Sequence, residues 1–184
     1  MSPWIASMSE SACQRLGRVA RVTRLRRPAC IAVAALLVCT EAAAAVDCTV
    51  STTGVAFGIY DPLGAAPSDS TGNVTIVCNY LSGGAAQIAY SVALSTGSSG
   101  TYVRRQLQAG TTALNYNLFI DSARSAVWGD GSTGTSVASG SATMGPGIGN
   151  GRREDSRTIY GRVPAAQDAL PGSYTDSIIV TLVF

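Results

Sequence analysis

The stretch PGSYTDSIIVTLVF, residues 171–184, ends the sequence and poses its main question. From Ser173 to Phe184 it reads as one unbroken β-strand. Alternation places Tyr174, Ile178, Val180, Leu182 and Phe184 on one side, and the β-branched content suits a pleated surface. A strand that is apolar to its last residue needs something to cover it.

The same period-two alternation recurs upstream. CTVSTTGVAFG (48–58) is a first strand region, with Cys48 just ahead of its strand. GNVTIVCNY (72–80) puts Val74, Ile76, Cys78 and Tyr80 on one face, and AQIAYSVALS (86–95) does so for Ile88, Tyr90, Val92 and Leu94. ALNYNLFID (113–121) groups Leu114, Tyr116, Leu118 and Ile120 opposite Asn115, Asn117 and Phe119, and SRTIYGRVP (156–164) is a shorter strand. The joints between them (YDPLGAAPSDSTG, STGSSG, WGDGSTG, GPGIGNG, ALPG) are rich in turn residues. No segment after residue 45 holds a helical period. Six or seven short strands with such joints predict an all-β sandwich.

Residues 1–45 have the layout of a secretion signal. An arginine-rich stretch (Arg15 to Arg27) leads into an apolar run (Ala29 to Val38), followed by EAAAA, which offers small residues to signal peptidase. The run is about 10 residues, short of the roughly 20 needed to span a bilayer. Met8 is a second candidate start. A mitochondrial transit peptide would share the arginines but lack the compact apolar run. A lipoprotein signal would need a small residue where Val38 precedes Cys39, and Arg26-Arg27 lacks the rest of a twin-arginine pattern. General secretion is the expectation, leaving residues 46–184 as the domain.

Export fixes the cysteine arithmetic. Cys13, Cys30 and Cys39 leave with the leader, so Cys48 and Cys78 remain, most simply as one disulfide. Two free buried thiols are the alternative. A metal site has no histidine to complete it.

Composition bears on chemistry as well. The chain has no Lys and no His, and from Val46 onward seven Arg face nine Asp and Glu. No basic patch suggests nucleic-acid binding, and neither a Ser-His-Asp triad nor a lysine-assisted nucleophile can be built. The carboxylates Asp61, Asp121, Asp130, Glu154, Asp155, Asp168 and Asp176 mostly sit beside Gly, Pro or Ser, where they cap turns. GDG at 129–131 lacks the alternating acids of a calcium loop, GPGIGNG lacks the Lys-Ser/Thr of a phosphate loop, and GRREDSR reads as an exposed mixed-charge loop. Asn73 begins an Asn-Val-Thr sequon of significance only in a eukaryotic host. No cofactor, metal or enzymatic activity is expected.

Three stretches carry a resemblance to a known family: CTVSTTGVAFGIYDPLGAAPSDSTGNVTIVC (48–78), LNYNLFIDSARSAVWGDGSTGT (114–135) and YGRVPAAQDALPGSYTDSIIVTLVF (160–184). Their conjunction is specific: a Cys-Thr-Val opening, Phe-Gly-x-Tyr-Asp-Pro, Trp-Gly-Asp-Gly, and Tyr-Gly-Arg-x-Pro before a terminal strand. The chain resembles the spore coat U domain, a family that includes secreted subunits of archaic, Csu-type chaperone–usher pili. The resemblance implies an immunoglobulin-like sandwich that lacks its last strand, with a hydrophobic groove beside the C-terminal strand. A periplasmic chaperone would fill the groove first, and a strand from the next subunit would replace it by β-augmentation at an outer-membrane usher. Ile178, Val180, Leu182 and Phe184 would form the acceptor edge. Partners would be that chaperone, the usher and other pilus subunits. The product would lie at the cell surface or in a fimbria, acting in adhesion and biofilm formation.

Cleavage after Ala44 or Ala45 leaves at most three residues ahead of Cys48, under roughly 10 Å of strand. That is too short to donate a strand, which favours a tip, an accessory subunit or a coat component. A stand-alone surface- or carbohydrate-binding module is the second reading: Trp128 and Tyr60, if exposed, could stack on sugar, although a lone Trp in a sandwich is more often core. A carboxylate-dependent glycosidase is the third. N-terminal sequencing of periplasmic material should give a start at Ala45 or Val46; a start before Thr40 would overturn both the processing site and the short N-terminus.

Overall fold

The structure, a computed structural model, describes residues 44–132 and 134–184. The predicted leader lies outside the described residues except at Ala44 and Ala45. Ten strands follow in order: β1 (Ala45–Thr53), β2 (Ser68–Ser82), β3 (Ala86–Leu94), β4 (Arg105–Ala109), β5 (Thr112–Phe119), β6 (Val127–Trp128), β7 (Thr135–Ser136), β8 (Ala138–Met144), β9 (Arg152–Val163) and β10 (Val180–Val183). One sheet runs β1-β2-β9-β5-β6-β7 with β4 added on β5, and a smaller sheet runs β10-β3-β8. Nearly all pairings are antiparallel; β6 with β7 is parallel.

Alternation explains why the sheets stack. Val74, Ile76 and Cys78 of β2, Leu114, Tyr116 and Leu118 of β5, and Ile159 and Val163 of β9 are buried on one inner face. Tyr90, Val92 and Leu94 of β3, with Ala138 and Met144 of β8, are buried on the other. These residues form one cluster, the core of an all-β sandwich. Trp128 is fully buried within it, its indole N–H donating to the Val92 carbonyl at 2.9 Å. It is the core residue that a lone Trp in a sandwich more often is, and it offers no platform for a sugar.

Cys48 lies inside β1 rather than ahead of it. It stands directly opposite Cys78 in the β1–β2 register, and the two are disulfide-bonded with Cα atoms 4.0 Å apart. Beyond Thr53 the chain leaves the ladder, but Val55 and Phe57 still point inward. They lie so close to β9 that a Cβ on Gly161 would meet Val55 at 2.7 Å and Phe57 at 2.8 Å. A glycine is required there for the chain to pass.

Three further expectations change. GRREDSR is not a loop: Arg152 to Arg157 are the first half of β9, in continuous register with Asn79 to Val74 of β2. Pairing with a long neighbour satisfies its backbone whatever the side chains prefer. Ser173–Phe184 is not one strand either. Thr175 bridges Gln108 of β4, with both N–H groups donating across at 2.7 and 3.0 Å. Val180 to Val183 then pair with Leu94 to Ser91 of β3. The segment changes partners because an excursion, residues 95–104, separates β3 from β4. Finally, β4 and β8 are strands that the pattern did not announce.

The disulfide ties an edge strand to its one paired neighbour among the described strands. Replacing Cys78→Ser should cost about 2–5 kcal/mol, measured as a lower urea midpoint. Native protein should resist alkylation, and quantitative labelling of two thiols would reject the bridge.

Candidate functional site

Each sheet has a free edge on the same side of the sandwich. In the smaller sheet this is β10, in the larger one β1. The Ser95 N–H donates to the Ile179 carbonyl at 2.9 Å, so Ile179 faces β3. Backbone groups alternate along an antiparallel strand, which turns the N–H and C=O of Ile178, Val180 and Leu182 away from β3. No described strand lies on that side. The side chains of these three residues are half-buried against the core. Ile179 (69% exposed), Val183 (61%) and Phe184 (53%) are outside, so Phe184 does not share the inner face assigned to it. The ladder stops at Val183, and Phe184 has no paired neighbour to hold it down.

Between the two edges lies an apolar groove made of two adjoining cavities of about 200 and 670 Å³, both walled by Val55, Phe57 and Leu107. One wall continues β1 through residues 52–60; the other is the C-terminal segment from Ala169 to Val180. The floor is core: Leu114, Leu118, Ile159 and Val163, each no more than 5% exposed, line it. A sandwich whose core residues form the floor of an open groove lacks a covering strand on that side.

One charged side chain lines the groove. Asp176 sits where the C-terminal segment crosses from β4 to β3. Its carboxylate accepts the Tyr116 hydroxyl (2.7 Å), the Ser98 N–H (2.9 Å) and hydroxyl (2.7 Å), and the Ser177 N–H (2.8 Å). Burial pushes its pKa up, but the Tyr116 phenol and the Ser98 groups outweigh that and hold it below the usual carboxylate range. Burial, then the bond to Asp176, raise the Tyr116 phenol.

Behind the same excursion lies Arg105, 0% exposed. Its guanidinium donates to the Ser95 carbonyl (3.0 and 2.7 Å), the Trp128 carbonyl (2.7 Å) and Asn117 Oδ1 (2.8 Å), and lies 5.2 Å from the Tyr102 ring centroid. Burial lowers its pKa. It contacts no carboxylate among the described residues; carbonyl dipoles and the ring face stabilise the charge instead. Arg105 thereby joins the end of β3, β5 and β6, and fixes the excursion from which Ser98 reaches Asp176.

The family described as the Spore Coat Protein U domain matches residues 33–181, most of the chain. The chain belongs to that family. As a spore coat U protein it is 29% identical over 135 residues to Protein U of Myxococcus xanthus, covering 70% of each. Among solved structures it is similar to a chain in the CsuC-CsuE chaperone-tip adhesion subunit pre-assembly complex from archaic chaperone-usher Csu pili of Acinetobacter baumannii. The identity there is 23% and the TM-score 0.47, over 76% of this spore coat U chain and 40% of the other.

The structure brings Ile178, Val180 and Leu182 to one free edge and bonds Cys48 of β1 to Cys78 of β2. Asp121 and Asp130 cap turns, through Ala126 N–H (2.7 Å) and Ser132 N–H (2.9 Å). Tyr60 is half-buried, its hydroxyl donating to the Pro164 carbonyl at 3.0 Å and accepting the Gln167 N–H at 2.8 Å. Arg105 escaped the sequence: an arginine beside a second one in a polar stretch looks like surface. For Asp176 only a local turn-capping role was legible, which its bond from the Ser177 N–H fulfils; its bonds to Tyr116 and Ser98 were not.

Asp176 has a depressed folded pKa, so its contribution is present above its unfolded value of about 3.9 and is lost as pH falls through the folded value. Asp176→Asn should therefore lower the melting temperature at pH 7, with the gap to wild type closing in acid. Melts from pH 7 to pH 2 test this; a gap that stays constant would exclude the carboxylate as its source.

Proposed function

We propose that this chain is a secreted structural subunit of a bacterial surface assembly of the chaperone–usher kind. It accepts a partner strand into the groove between β1 and β10, and acts in adhesion and biofilm formation as a tip or accessory subunit. The observation that carries this reading is the groove itself, whose core-lined floor is flanked by two strand edges without partners among the described residues. An extended segment laid there would bond to the backbone of Ile178, Val180 and Leu182 and place alternate apolar side chains on Leu118 and Ile159. A periplasmic chaperone would supply that segment first, and another subunit would replace it at an outer-membrane usher. Family membership supports the assignment. Val46 and Asp47 are already paired with Tyr80 and Asn79 of β2, so they are not available to donate a strand.

Deleting Leu182–Phe184 removes half of the β10 ladder and should abolish co-purification with the chaperone, leaving the subunit to periplasmic proteolysis. Arg153→Ser should do neither. Appending a donor segment of roughly nine residues (about 30 Å) after Phe184 should give a soluble, thermally stable monomer. An unmodified domain that is already monomeric, with exchange-protected amides at Ile178, Val180 and Leu182, would sink the proposal.

A further inference from the structure

The sandwich has a second open flank. β9 pairs with β5 only from Tyr160 to Arg162, so residues 152–159 have a free edge on the side away from β2. β8 pairs only with β3. Leu94 donates away from β10, to the Gly129 carbonyl at 3.1 Å. By alternation Val92 and Tyr90 face β8 at Ala138 and Gly140, which leaves the backbone of Ser139 and Ser141 on the free side. Between these edges is a cavity of about 310 Å³ that reaches Ile76 and Cys78. Two flanks of one sandwich thus expose unpaired strand edges over core residues.

Their chemistry differs. Register puts Arg153 opposite Cys78, Asp155 opposite Ile76 and Arg157 opposite Val74, all inward-facing positions. The inner face of β9 is therefore charged where the inner face of the C-terminal segment is Ile178, Val180 and Leu182. Arg157 pairs with Asp155 at 2.7 Å and donates to the Ser139 carbonyl at 3.2 Å, occupying an edge acceptor of β8. Tyr90 reaches from the other sheet to donate to Asp155. Gly140 leaves room for it, since a Cβ there would sit 2.2 Å from the Tyr90 hydroxyl. Arg153 lines the cleft and makes no ion pair among the described residues. A strand entering here would have to break the inter-sheet bonds and bury charge without compensation.

We propose that Arg153, Asp155 and Arg157, with Tyr90 and the Ser139 carbonyl, form a guard that excludes strand addition between β8 and β9, so that the domain takes one strand, at β1/β10 only. The exclusion of a second copy of this chain is what makes assembly one-sided. The assignment of the permitted side rests on the function proposed above; the guard does not.

The test compares the full exported chain with the R153V/D155V/R157V variant by sedimentation velocity and site-resolved hydrogen exchange. The variant should self-associate at least ten-fold more strongly, with new protection over residues 138–144 and 152–159. No gain in association, or protection only at 178–182, overturns the guard. Protection at 178–182 in the parent chain reports on the β1/β10 groove separately, so the two ideas fail independently. If the triple variant loses the near-ultraviolet signal of Trp128, Arg153→Val alone replaces it, with at least a three-fold gain expected and an unchanged constant counting against the proposal. Ser156→Val, which adds an apolar group to the outer face of the same strand, should stay within two-fold of the parent; a gain equal to that of the triple variant also overturns it.

Discussion

The constraint on which the rest of this structure depends is that a strand edge must find hydrogen-bond partners or be made unattractive to them. The domain meets it in two ways and leaves it unmet in a third place. Past the end of β9, at Pro164, the side chain of Gln167 substitutes for a strand: its amide accepts the Asn115 N–H at 2.8 Å and donates to the Asn115 carbonyl at 2.9 Å. Along the first half of β9 inward charges occupy the edge. Along β10 and β1 neither device is present, and the core shows through. The unguarded edge is distinguished by contrast with its neighbours.

The geometry of that edge depends on polar residues within the sandwich. The C-terminal segment must cross from β4 to β3, and Asp176 holds the crossing through Tyr116 and Ser98. Ser98 lies in the excursion anchored by Arg105 to the Ser95 and Trp128 carbonyls. A buried cation without a carboxylate contact is costly unless its donors are matched, and here four hydrogen bonds match them. The polar chain runs from Trp128 to Asp176, so the apolar groove has a hydrogen-bonded frame.

Much of the architecture was legible because it is written in alternation. Val74, Ile76 and Cys78, or Leu114, Tyr116 and Leu118, declare both strand and inner face. β8 was not legible: Ala138 to Met144 reads ASGSATM, whose small residues carry little contrast between faces. The first half of β9 was misread because charge in sequence suggests solvent, whereas its strand state comes from β2, more than seventy residues away. The groove lay beyond periodicity altogether. Ile178, Val180 and Leu182 would alternate the same way under a neighbouring strand as beside an empty space, so only the family resemblance raised it. Phe184 kept the right parity but sits past the last ladder pair.

The Cys48–Cys78 bond has a mechanical side. A strand seated between β1 and β10 that was then pulled along a fibre would load the groove walls. β1, an edge strand paired with β2 alone among the described strands, is the wall that would peel first, one hydrogen bond at a time, as zippers do. The covalent link crosses that ladder near its middle, so peeling begun at either end of β1 halts at residue 48. Tension would then be carried into β2 and, through its register with β9, into the centre of the larger sheet. The one cross-link among the described residues thus sits where such a pull would load the edge of the larger sheet.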